Sequence, residues 1–132
     1  MSTYTTERLP GEPIVLQVLY EDWSVKHDLE AALRELAEFL DSAEEPLYYV
    51  VDVTRVNVSI DDVVGAASQV ARGPAAVLHH PNLKEYVVVT TRGLIKLGAK
   101  GLDSELFGFV PVHVCDTLEE ALDYVRSRIA GG

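Results

Sequence analysis

Leu47-Tyr48-Tyr49-Val50-Val51-Asp52-Val53 is the stretch on which the reading of this chain turns. It is apolar on both faces, rich in Val and Tyr, and too short for a buried helix. Such a run reads as a central strand covered by helices on two sides. Pro46, just before it, marks the restart of extended chain. Three further runs have the same character: Ile14–Tyr20, Tyr86–Thr91 and Val110–Cys115. Each of the four is followed by a helix-like stretch. Strands alternating with helices need crossover connections, and these build a mostly parallel sheet.

Working outward from Leu47, the preceding stretch from Val25 to Ser42 carries Leu29, Leu33, Leu36 and Leu40 at i, i+4, i+7 and i+11. That is one apolar stripe at helical spacing, with Glu30, Arg34, Glu35, Glu38 and Asp41 on the opposite face. Earlier still, Tyr4–Leu9 alternates weakly and meets Pro10-Gly11-Glu12-Pro13, so it should pair antiparallel with Ile14–Tyr20 as an edge hairpin.

After Val53, a second helix is expected from Ile60 to Ala71, opened by Ser59 and Asp62 and closed by Gly73-Pro74. Ala75–Leu83 reads as a loop. Gly93–Gly101 reads as a short third helix weakened by Gly98 and Gly101. Leu118 to Ile129 forms the last, behind the capping box Thr117-Leu118-Glu119-Glu120. The expected fold is therefore α/β: a leading β-hairpin, then alternating βα units in a mostly parallel sheet of about five strands with four helices.

Composition bounds the function. At 132 residues the chain is expected to form one domain, residues 1–132, burying roughly two thirds of its unfolded surface. The apolar fraction of 48% and the charged fraction of 24% are ordinary for a globular protein. The net charge of −10, with 11 basic against 21 acidic residues, argues against nucleic acid and anionic membranes. Cys115 is the single cysteine, so no internal disulfide forms. No apolar run approaches a membrane span, Met1–Thr6 lacks a secretory apolar region, and a cytoplasmic protein is the simplest expectation.

The order β-β-α-β-α-β-α-β-α resembles the STAS domain of anti-sigma-factor antagonists, and more closely the SpoIIAA-like (STAS/SEC14-like) group of stand-alone bacterial proteins. The local matches are Val51-Asp52-Val53-Thr54, the turn and helix at Asn57–Ala71, the Gly93–Leu102 helix, and Asp116-Thr117-Leu118-Glu119-Glu120-Ala121-Leu122. The resemblance implies protein partners, and self-association as a homodimer through the hairpin edge or the third helix. It also implies a phosphorylated serine at the start of the second helix, where Ser59 is the nearest match. Here the sequence reads Val58-Ser59-Ile60-Asp61-Asp62, without the second serine and glycine of the family motif. The plainer role of Ser59 is a helix N-cap.

Ligands of parallel sheets gather beyond the carboxyl ends of the strands. That edge should hold Trp23, Arg55, Thr91 and Arg92, with Thr91-Arg92-Gly93 opening a helix. Arg92, Lys96 and Lys100 fall at i, i+4 and i+8, a basic stripe suited to an acidic partner or, more simply, a solvated face. Around it, Leu94, Leu97, Leu106 and Phe109 belong to an apolar excess that fits core, groove or interface.

Signs of catalysis are missing. There is no phosphate loop, nucleophile elbow or zinc-protease helix motif, and His79-His80 has no further ligand at metal spacing. Cys115 beside Asp116 is expected to be a buried, inert thiol, His113 to be packed under a helix, and His27 to be exposed. No cofactor or metal is expected. The leading expectation is a non-enzymatic interaction or regulatory module. The alternative is a carrier or sensor of a small apolar or anionic ligand between the third helix and the sheet.

Overall fold

The computed structural model describes residues 3–56, 59, 61, 62, 64–66, 80–101 and 112–131. Five strands form one sheet: β1 (Tyr4–Arg8), β2 (Ile14–Leu19), β3 (Leu47–Asp52), β4 (Leu83–Val89) and β5 (Val112–Cys115). The helices are α1 (Val25–Ser42), α3 (Gly93–Gly101) and α4 (Leu118–Gly131). Residues 61–62 and 64–66, within the expected second helix, are helical and are labelled α2.

β1 and β2 pair antiparallel, and every other pairing is parallel. The hairpin closes where expected: the Leu9 amide donates to the Ile14 carbonyl at 2.9 Å, and Gly11 takes φ 74°. Only glycine enters that left-handed region without strain.

The strands lie in the order β1-β2-β3-β4-β5, which advances in one direction. Right-handed crossovers along such an order deliver their helices to the same face. α1, α2 and α3 accordingly supply one core cluster, through Leu29, Leu33, Leu36 and Leu40, through Ala66, and through Ile95. Val15, Leu19, Tyr49, Val51 and Val88 meet them from the sheet. α4, which follows the last strand, crosses back over the other face against β3, β4 and β5. Its Ala121 and Val125 pack on Ile14, Tyr48, Val50, Val87 and Val89. β3 sits in the middle with both faces covered, as its unbroken apolar run requires.

Several boundaries differ from the sequence reading, and β1, β2 and β3 each end one residue earlier than expected. β4 begins at Leu83 and ends at Val89, not at Tyr86 and Thr91. Parallel pairing to β3 starts at Leu47 and Leu83, so it takes in the last residue of the expected loop, and after a register shift that leaves Lys84 unpaired it resumes at Tyr48 and Glu85. Thr90 leaves the ladder because its hydroxyl accepts the Arg92 amide at 3.1 Å and turns the chain toward α3. α4 also runs past Ile129 to Gly131. α1 has the expected bounds. Ser24 accepts the His27 amide at 3.1 Å and Asp28 accepts the Ser24 amide at 2.8 Å, a reciprocal cap at its start.

Candidate functional site

The carboxyl ends of β2 to β5 bring several expected residues to one rim, where they are occupied mainly with each other. Asp52 accepts both the amide and the hydroxyl of Thr54, at 3.0 and 2.7 Å. Thr90 is fully buried, and its amide donates to the Cys115 carbonyl at 2.9 Å. Arg55 lies 3.8 Å from Glu21, its guanidinium over the Tyr20 ring at 5.5 Å. Thr91 and Arg92 are exposed at the entry to α3.

Trp23 does not line this rim. Its amide bonds the Tyr20 carbonyl at 3.0 Å, a turn that folds the chain back and carries the indole into the core beside Leu19 and Leu29. Its buried Nε1 has no acceptor among the described residues.

The basic stripe exists on α3 but is partly neutralised. Lys96 reaches Asp116 at 2.8 Å, while Arg92 and Lys100 are exposed. Leu97 is 66% exposed on the same helix and Ile95 turns into the core, so the two apolar residues face opposite ways. Val64 on α2 is 59% exposed. Leu94 is helical with its side chain outside the described residues, as are Leu106 and Phe109 altogether.

Ser59 is exposed and acts as a cap. The Asp62 amide donates to its hydroxyl at 3.2 Å, and its own amide donates to the Asp62 carboxylate at 3.0 Å. A phosphate on that hydroxyl would face this carboxylate directly. Cys115 is 1% exposed, and burial pushes its thiol up, with the charges of Glu120 and Asp116 adding to the effect. A thiol so placed is a poor nucleophile. His27 is exposed. His113 stacks on Tyr124 of α4 with ring centres 3.7 Å apart, packed under a helix as the sequence suggested.

Spatial neighbours far apart in sequence were not foreseen. His80, expected in a loop, accepts the Asn82 amide at Nδ1 (3.0 Å), which leaves Nε2 protonated toward Asp41 at 2.7 Å. His79 lies outside the described residues. Tyr124 donates to Glu85, whose second oxygen lies 3.5 Å from Nε of Arg128. Burial is the first cause pushing the Tyr124 phenol up to about 12, with the Glu85 bond and charge next. Partners 39 residues apart leave no local pattern to read. Among the described residues, no three His, Cys, Asp or Glu side chains converge as metal ligands, and no helix is long and apolar enough to cross a membrane.

No protein-family model matches the chain, and no curated protein matches it by sequence. Among solved structures it is similar to an uncharacterized protein of the DUF3478 family with a SpoIIAA-like fold from Shewanella loihica PV-4. The likeness has a TM-score of 0.58 at 13% identity and covers 92% of this chain and 90% of that one. At that identity the likeness establishes the fold: this chain has the SpoIIAA-like architecture that its element order resembles.

Proposed function

We propose that this domain is a non-enzymatic interaction or regulatory module of the bacterial cytoplasm, which binds a protein partner through α2 and α3. One observation carries the reading. The two large apolar side chains that stand exposed among the described residues, Val64 and Leu97, lie on successive crossover helices of the same sheet face. Single exposed leucines are common, but exposed apolar side chains on two successive helices of one sheet face, with Lys100 one turn from Leu97, fit a contact surface with an apolar centre and a charged rim.

The carboxyl rim supports the same reading. Its polar groups satisfy one another through Asp52–Thr54, Thr90–Arg92 and Lys96–Asp116. Groups so engaged are poorly placed to bind and activate a substrate.

Native mass spectrometry of the protein purified from its source cells, repeated after denaturation, tests this. The expected result is a complex with a second protein chain, or a dimer, that Leu97→Glu abolishes without lowering the melting temperature. A chain that carries a small molecule between α3 and the sheet, lost on denaturation and with no protein attached, would overturn the reading in favour of a carrier.

A further inference from the structure

At the opposite end of the sheet, a cleft of about 550 Å³ opens between the last turn of α4 and the amino ends of β3 and β4. Pro13, Pro46 and Ile129 give it apolar walls. Tyr48 forms part of its lining and is only 6% exposed, yet its hydroxyl has no hydrogen-bond partner among the described residues. That hydroxyl is not among the buried atoms left without a partner, so the small exposed part of Tyr48 includes it, and it is open to donate to whatever enters the cleft.

Two cations line the same cleft. Lys84 is exposed and forms no ion pair among the described residues. Arg128 approaches Glu85 through Nε at 3.5 Å, and Glu85 is in turn fixed by the Tyr124 hydroxyl. That arrangement orients the guanidinium and leaves its terminal nitrogens for a second partner. The acid in the lining, Glu45, is bound to Arg8 at 3.2 Å. Two cations on one cleft stand out in a chain of net charge −10.

The geometry points to a binding site for a small organic anion. Its carboxylate or sulfonate lies between Lys84 and Arg128 with the Tyr48 hydroxyl donating, and its apolar body rests on Pro13, Pro46 and Ile129. Arginine suits such a group because its planar fork matches two oxygens at once. The volume falls within the usual range for small-molecule sites.

Amide-resolved NMR titration of the full chain with phenylbutyrate and with its neutral amide, phenylbutyramide, tests the assignment. Saturable shifts at Tyr48, Lys84, Glu85 and Ser127–Ile129 are expected with the acid and not with the amide. Lys84→Gln, which removes no contact of the fold, should weaken binding about tenfold, the loss of one charged hydrogen bond. Arg128→Gln should do the same, and Tyr48→Phe should weaken it severalfold while keeping the ring. Non-saturating shifts, equal shifts with the amide, shifts confined to α3, or an affinity untouched by Lys84→Gln would each overturn the assignment.

Discussion

Gln17 is 1% exposed on β2, and all of its polar capacity faces protein. Its amide nitrogen donates to Thr6 Oγ1 at 2.9 Å and to the Ala32 carbonyl at 3.1 Å, while its oxygen accepts the Tyr49 hydroxyl at 2.6 Å. One side chain thereby joins β1, β2, α1 and β3. The satisfied network offsets the cost of burying an amide. Gln17→Ala strands the Tyr49 hydroxyl in the core and opens a void, so a loss of about 2–4 kcal/mol is expected from urea denaturation. A change no larger than that of a surface substitution, about 0.5 kcal/mol, would refute this role. Tyr124 makes a second residue-scale prediction. Its phenol loses a proton near 10 when unfolded and at about 12 when folded. Its contribution to stability is therefore complete below about pH 10 and lost as pH rises toward about 12. Tyr49 and Tyr86 are also raised by burial and act in the same direction. Unfolding free energies measured across this alkaline window should fall, and less steeply in Tyr124→Phe.

Among the elements, α1 was the most legible, because its leucine stripe is a local signal that packing did not override. The hairpin was equally plain, since Pro10-Gly11-Glu12-Pro13 admits little but a turn. The start of β4 was not legible. Lys84 and Glu85 are polar; parallel pairing with β3 draws Glu85 into the ladder opposite Tyr48 and leaves Lys84 at a register shift. The far end of α1 shows the same limit. Its last turn holds no basic residue, and its carbonyls are met from another element: Asn82 Nδ2 donates to the Leu40 carbonyl at 2.8 Å and the Ala43 carbonyl at 3.4 Å. No sequence pattern links positions 42 residues apart. Asn82→Ala should cost about 1 kcal/mol and raise amide hydrogen exchange in the last turn of α1 alone. Exchange unchanged there, or raised equally through the whole helix, would contradict this cap.

At the scale of the molecule, sequence periodicity established that strands and helices alternate, but it could not order the strands. Adjacency is a tertiary fact, and it decides which edges and clefts exist. The one-directional order places three helices on one face and leaves the other to α4. It also moves attention away from the carboxyl rim. Trp23 is drawn into the core there, and the expected basic stripe is partly matched by Asp116. The cleft beside Tyr48 lies at the other end, built from residues of four segments that no spacing connects. Of the apolar residues singled out from sequence and described in the structure, Leu97 retains the exposure a partner would use. The most direct measurement is therefore site-specific photo-cross-linking in the source cells, with a benzophenone side chain replacing Leu97 and, as a control, the exposed Ala31 of α1. A module that binds through α2 and α3 yields a discrete cross-linked protein band from position 97 and none from position 31. Equal cross-linking from the two positions, or none from position 97, would contradict it.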